Sequence, residues 1–384
     1  PSPAIHAPRI RTGRWRKSAT KTPPIRTTKP RRRALWLGWR QWGIAAYAVF
    51  AAAAASAETL SIDKLPGWQD DRLNDWVRAW EQSCAAEPDL STAKPLFKAL
   101  SDGERQLLCR NLPRAETADQ RRWVQRHFRA VKISAEAFVT GYFEPVLDGR
   151  RRKTIGYPAP VYGQPPELAR VLQGSKRFAS RGEIMDGALA GRGLELAWLE
   201  PVDAFFLHIQ GSGVIRFPDG EQLRAGYANH NGWPYHAIGR DLLRSGAIPR
   251  QNMSMQAIAE WLRENRQAAD ELMRRNNRYI FFRRLAGDGP IGASGAVLTA
   301  ERSLSVDFRH IAYGLPIWVD LGPDPRGSEG RLRQLMVAQD TGSAIRGQGR
   351  ADFYWGSGSA AGSIAGRMQS TGVLYVLLPV SRTD

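Results

Sequence analysis

The sequence predicts a mainly β protein built from small barrels behind a short helical region, and three observations predict it. From about Ile133 the chain reads as short apolar runs broken by Gly, Pro and Asp, among them "AFVTGYFEPVLDG", "AVLTAERSLSVD", "LPIWVDLG" and "LRQLMVAQD". Ahead of them, "LPGWQDDRLNDWVRAWEQSCAA" sets Leu73, Trp76, Val77 and Trp80 at helical spacing. One helix pair, "HAIGRDLLRSG" and "SMQAIAEWLREN", interrupts the strands.

Taken in order, the chain opens with a leader. Residues 1–57 hold twelve Lys and Arg and no acid, so they carry +12 of the formal charge of +18. Within them "RRRALWLGWRQWG" is a cationic lead, "IAAYAVFAAAAA" an apolar run, and "ASA" before Glu58 a small-residue cleavage site, which predicts a signal peptide cut at Ala57/Glu58. The apolar run is about 14 residues, short of the ~20 that span a membrane as a helix. Residues 1–30 are expected to be extra upstream sequence or a disordered leader. No Cys stands at the end of the apolar run, where a lipid would be attached, so a periplasmic protein without a lipid anchor is expected, with outer-membrane association left open.

The helical pattern returns in "AETADQRRWVQRHFRAV", with Trp123 and Phe128. The segment "ELAWLEPVDAFFLHIQGSGVIRFPDGEQLRAGY" is predicted as strands, with His208 a structural histidine inside one of them and Asp219-Gly220 at a hairpin turn. Ser254 is placed to cap a helix whose apolar face carries Met255, Ile258, Ala259 and Leu262. "GSGSAAG" at 356–362 superficially resembles a dinucleotide loop and is read as a glycine-rich turn, because strand, helix and downstream acid do not follow in order.

Length and composition bound the rest. At 384 residues and 42% hydrophobic, the chain suits two domains. Without the leader the charge falls to +6, which weakens the argument for nucleic-acid binding. Cys84 and Cys109 follow the leader, and in an oxidising compartment they form either a disulfide or two buried thiols. Two Cys and six scattered His show no metal-ligand spacing, and no cofactor is expected.

Phosphate loops with their Lys, zinc-type His pairs and Gly-x-Ser-x-Gly elbows are absent from the sequence, which leaves carboxylates as candidate catalysts. Asp307 follows "LSV", Asp340 follows "LMVAQ", and Asp352 precedes "FYW". Each alone reads as a turn cap at a strand end. If strands converge in one barrel, mutual repulsion and an apolar wall would keep one carboxyl protonated near neutral pH, able to donate to a glycosidic oxygen. Glu144 is a further carboxylate, not required by a one-acid mechanism.

The segments "GYFEPVLDGR" (141–150), "YPAPVYGQPPEL" (157–168), "RGEIMDGALAGRGLELAWLEPVDAFFLHIQGSG" (181–213), "GYANHNGWPYHAIGR" (226–240), "GASGAVLTAERSLSVD" (292–307) and "AQDTGSAIRGQGRADFYWGSG" (338–358) resemble, in this order, the membrane-bound lytic transglycosylase A (MltA) family with its three-aspartate 3D domain. The likeness extends from Gly141 to Leu378.

The resemblance implies a double-psi β-barrel domain, residues 58–142 plus 283–384, with a second, smaller β-barrel domain inserted at 143–282 and a glycan groove between them. It implies cleavage of the β-1,4 bond between N-acetylmuramic acid and N-acetylglucosamine in peptidoglycan, without water, leaving a 1,6-anhydromuramoyl end. Asp352 matches the family's acid/base, and Asp340 and Asp307 its supporting aspartates. Tyr142, Gln210, Gly211, Ser212, Gly213, Tyr227, Asn231, Tyr354, Gly356 and Gly358 lie in segments that the family presents to glycan or sets beside the acid. The expected partners are glycan strands and proteins of wall synthesis, with the chain itself a monomer. A two-carboxylate glycoside hydrolase on the same barrel and a non-catalytic wall-binding protein remain the alternatives.

Overall fold

A computed structural model describes residues 59–380 apart from 87–94, 114–116, 175, 288 and 328–329; the predicted leader and its cleavage point lie outside the described residues. The described chain opens with strand β1 (Thr59–Leu60) and helices α1 (Asn74–Ala85), α2 (Asp102–Arg110) and α3 (Thr117–His127), followed by the long strand β2 (Phe128–Glu144). Next come β3 (Val146–Asp148), β4 (Ala159–Tyr162), α4 (Leu168–Gln173), α5 (Arg181–Met185), β5 (Glu195–Leu199) and α6 (Pro201–Gln210). They continue through β6 (Gly213–Arg216), β7 (Gln222–His230), α7 (Ile238–Arg244), α8 (Met255–Glu264), α9 (Arg266–Arg275) and β8 (Ile280–Arg284). The last part holds β9 (Ser303–Val306), β10 (Pro316–Gly322), β11 (Leu332–Asp340), β12 (Arg350–Ser357), α10 (Gly358–Ala365) and β13 (Gln369–Pro379).

Six strands close on themselves in the order β2-β12-β9-β11-β10-β13, with β13 returning to β2. The closure leaves this set without an unpaired edge, apart from the short β1 that pairs beside β2. Period-2 alternation fills the interior: Val131, Val139, Leu304, Val306, Ile317, Val319, Met336, Ala351, Phe353 and Val376 share one buried cluster. This is the barrel expected from the sequence. It joins a strand ahead of the middle region to five strands behind it.

The helical region packs on the barrel's outer face through tryptophans. Trp68 meets Trp318 edge-on at 5.3 Å, and Trp76 stacks on Trp80 at 5.4 Å. Each fully buried aromatic of this kind contributes roughly 1.5–3 kcal/mol. Beneath them Asp71 receives Arg302 in a bidentate pair at 2.7 and 2.9 Å and the amide of Leu335 at 2.7 Å, so one carboxylate ties the first segment to β11. Asp71 also accepts the amide of Leu73, whose φ of +56° places it just before α1 rather than on its face. Cys84 and Cys109 form a disulfide between α1 and α2, with Cα atoms 5.9 Å apart.

The middle region builds a second sheet, β3-β6-β7-β8, and a β4-β5 ribbon. Two isolated bridges, Gly163↔Phe282 and Arg150↔Trp198, join the ribbon to both ends of the sheet and close a smaller barrel. Val161, Ala197, Leu199, Ile215, Leu223 and Phe282 fill it. The β6–β7 hairpin turns at Asp219-Gly220, where Gly220 has φ +85°.

Three sequence readings are corrected here. "EPVDAFFLHIQ" is the helix α6, not a strand, because Glu200 caps it by accepting the amides of Val202 and Asp203 and Pro201 takes the first turn. Its apolar residues serve two cores at once, Ala204 and Leu207 one, Val202 and Phe205 the other. A short apolar run of this length does not reveal its period. Phe128 begins β2 instead of continuing α3, and most of the expected glycine-rich turn at 356–362 is helical, its residues 358–362 opening α10 directly after strand β12. Ser254 does cap α8, accepting the amide of Ala257 at 3.1 Å. Among the described residues no helix is long and apolar enough to cross a membrane.

Candidate active site

Register within the first barrel gathers a polar row. Asp340 on β11 pairs with Ser305 on β9, Ser305 with Asp352 on β12, and Asp352 with Thr140 on β2. A register shift between Ala338 and Asp340 sets the aspartate in this row. Neighbouring strands lie about 4.8 Å apart, so the two carboxylates are held about 10 Å apart at their Cα atoms. They open into one cleft of about 1000 Å³ between the two barrels, large enough for an oligomer rather than a single small ring.

Asp352 is half-buried, and Thr140 donates its hydroxyl to Oδ1 at 2.6 Å. Thr140 in turn accepts Arg350 at 2.7 Å, which orients its single proton toward the aspartate. Burial pushes the Asp352 carboxyl up to about 6, with the Asp340 charge adding to the rise; Arg350 and the Thr140 hydrogen bond oppose it without overcoming it. Its Oδ2 has no hydrogen bond to protein among the described residues.

Asp340 is also raised by burial, against hydrogen bonds that favour its charge. Its oxygens are occupied by protein: Ala293 donates its amide to Oδ1 at 2.9 Å, and Ser305 its hydroxyl to Oδ2 at 3.3 Å. Tyr142 lies beside it, its phenol raised well above its ordinary value by burial and by the Asp340 charge.

The opposite wall belongs to the middle region. Gln210 and Gly211 end α6, with Gly211 at φ +82°, and Ser212 follows; all three line the cleft with Tyr227. Gln210 accepts the Phe143 amide at 3.2 Å, linking this wall to β2. His208 lines it from α6, buried and neutral, its pKa pulled well below the usual value by burial and by Arg181. Arg181 donates to His208 Nδ1 at 3.0 Å, which assigns the proton to Nε2.

The cleft thus unites Asp352, Asp340, Tyr142, Gln210, Gly211, Ser212 and Tyr227 of the sequence candidates. The others sit elsewhere. Asp307 is fully buried, and Arg309 and the Gly347 amide hold it far below the usual carboxylate range, so it anchors the turn after β9. The charge that raises Asp352 is that of Asp340. Asn231 uses its amide on the carbonyls of Ala179 and Asn277 and the amide of Tyr279, a brace inside the middle region. A Cβ on Gly213 would strike Leu207 at 2.5 Å. Gly356 and Gly358 have φ of +104° and +85° at the strand-to-helix turn, and Tyr354 is buried against Tyr142 with ring centroids 5.2 Å apart. Glu144 is locked between Arg224 and Ser357, away from the cleft.

Sequence reading passed over Thr140 and Ser305. Thr140 stands two residues before Tyr142, and period-2 alternation would have put both on one face. Among the described residues no group of three or more His, Cys, Asp or Glu is arranged to hold a metal ion.

Residues 138–283 match the MltA specific insert domain and residues 302–378 the 3D domain. The chain is 34% identical over 244 residues to a membrane-bound lytic murein transglycosylase A of Vibrio cholerae, spanning 62% of this chain and 64% of that protein's length. It thus covers less than two thirds of the curated relatives it matches. It is similar to the crystal structure of a membrane-bound lytic murein transglycosylase from Agrobacterium tumefaciens, with 32% identity and a TM-score of 0.77 over 85% of this chain and 99% of that one. It is also similar to Escherichia coli MltA with bound chitohexaose, with 26% identity and a TM-score of 0.66 over 84% and 92%. With one barrel split around a second and both domain signatures in place, the chain belongs to the MltA family.

Proposed function

We propose that the protein is a peptidoglycan lytic transglycosylase that cleaves the β-1,4 bond between N-acetylmuramic acid and N-acetylglucosamine and leaves 1,6-anhydromuramoyl ends. The observation that carries this reading is Asp352, a carboxyl pushed up to about 6 by burial in an oligomer-sized cleft, with one oxygen free of protein partners among the described residues. Chitohexaose bound to the related Escherichia coli protein supports a β-1,4-linked N-acetylated glycan as the ligand.

In this reading protonated Asp352 donates its proton to the glycosidic oxygen as the C1–O bond breaks. Asp352, now ionised, takes the proton of the muramoyl 6-hydroxyl as that oxygen bonds to the same C1. The carboxyl ends as it began, and no water enters the product. Asp340 supports this cycle: its charge favours the protonated form of Asp352, and its own oxygens are held by Ala293 and Ser305. Tyr142 and Tyr227 supply aromatic faces for sugar CH surfaces, and Gln210 and Ser212 polar groups for N-acetyl and hydroxyl substituents.

We read residues 58–142 plus 283–384 as the catalytic barrel domain with its helical region, and 143–282 as the inserted domain. We place the mature protein in the cell envelope, exported by the leader; the membrane-bound naming of its relatives supports an envelope setting.

Mass spectrometry of muropeptides released from purified sacculi in ¹⁸O-water tests the reaction. Anhydro ends without solvent oxygen are expected from wild type, and none from Asp352→Asn. Labelled reducing ends would make the protein a hydrolase, and binding without any turnover would make it a wall-binding protein.

A further inference from the structure

Five arginines line the cleft, Arg181, Arg278, Arg283, Arg346 and Arg350, against two aspartates. Two of them have assigned work, since Arg350 serves the Thr140–Asp352 pair and Arg181 holds His208 and the carbonyls of Asn276 and Arg278. Arg278 and Arg346 do not. Arg278 precedes β8 on the wall of the smaller barrel, and Arg346 stands on the loop between β11 and β12 that leads to the acid. Each is steadied by backbone carbonyls alone, Arg278 by Trp233 at 3.1 Å, Arg346 by Gly342 at 3.2 Å and Ile345 at 2.9 Å. A carbonyl orients a guanidinium but does not neutralise it, and neither residue forms an ion pair among the described residues. Burial lowers the pKa of Arg278, and the two are close enough that the charge of Arg346 adds to the lowering. His230, on the same wall, is driven to about 4 by burial and by Arg278 and stays neutral.

Two like charges set on opposite walls of one cleft, neither of them in an ion pair among the described residues, are a poor arrangement for the empty protein and a good one for an anion that bridges them. We propose that Arg278 and Arg346 form a carboxylate clamp for the peptide substituents of the glycan, drawing free carboxylates of the stem across the groove beside the cleaved bond. The inference rests on the lytic transglycosylase reading and adds substrate selection to it. Planar guanidinium groups suit this ligand, because each can offer a carboxylate two parallel N–H donors. The neutral imidazoles of His208 and His230 add no competing charge, and the protonated form of Asp352 adds no repulsion.

The test compares peptide-bearing strands with the same strands after their stem carboxylates are converted to amides. The lactoyl group is already in amide linkage to the stem, so the free carboxylates removed are those of the peptide. Wild type is expected to favour the free-carboxylate strands in kcat/KM by about tenfold or more, mainly through KM, and less so as salt rises. In Arg278→Gln with Arg346→Gln that preference is expected to collapse toward unity, and Arg346→Lys is expected to restore part of it. A wild type that does not distinguish the two substrates would overturn the clamp, as would a double variant that keeps the preference. If wild type converts neither substrate, the proposed reaction itself fails, an outcome distinct from loss of selectivity.

Discussion

Thr140 on β2 donates its hydroxyl proton to Asp352 on β12 at 2.6 Å across 212 residues of sequence, and it does so because Arg350 occupies the hydroxyl's accepting side. The Asp352 carboxyl is therefore tuned by a neighbour that favours its charged form, and burial wins over that neighbour. The balance can be moved in either direction.

The first consequence is the pH profile. As the proposed proton donor Asp352 must be protonated, and burial pushes its carboxyl up to about 6, so kcat/KM should fall as pH rises through about 6. A bound glycan excludes more water and raises the limb further in kcat than in kcat/KM. Initial rates on solubilised glycan strands from pH 4 to 9 check this, and a flat profile through 6 would remove Asp352 from the role.

Thr140→Val deletes a hydrogen bond that favours the carboxylate, so the pKa rises and the descending limb moves to higher pH. Arg350→Met removes the larger opposing influence and should move the limb further. The ordering wild type, Thr140→Val, Arg350→Met is the measurement; a shift to lower pH in either variant would contradict the geometry.

Asp352→Asn should abolish turnover and also stabilise the fold at neutral pH. The folded-state pKa lies above the unfolded value near 4, so the native state is penalised in full above about 6 and not at all well below 4. The gain at pH 7 is on the order of 3 kcal/mol. Urea denaturation at pH 7 should show it, and the difference should shrink as pH falls through 6 toward 4.

Asp71→Asn tests the tie between helical region and barrel. It leaves Arg302 buried without its partner and weakens the bond to the Leu335 amide, with a loss of about 3–5 kcal/mol. Chemical denaturation reads the loss. A change under 1 kcal/mol would mean that the tryptophan packing alone holds the two parts together.

Much of this was legible in the chain. Alternating strands, the Asp219-Gly220 hairpin and the Ser254 cap are local signals, and local physics decides them. The helix α6 was not legible, because its residues feed two cores and so show no single apolar stripe. The site was legible to the extent that strand-end aspartates and a family likeness named Asp340 and Asp352. What separated them from Asp307 was register: a strand's partners are set by distant residues, and Asp307, just past the end of β9, reaches Arg309 and the Gly347 amide instead of the cleft. Asn231 looked equally fit for a sugar until its partners in the middle region were seen.

The split barrel also has a consequence in time. β2 leaves the ribosome, and crosses any export channel, long before the strands β12 and β13 that flank it. Contacts of such wide sequence separation carry a large loop-closure cost and form slowly. The polar row around Asp352 is assembled only when the C-terminal strands arrive. A partly synthesised chain therefore lacks this row, and under the proposed reaction the capacity to cut would be acquired only once the C-terminal strands are in place.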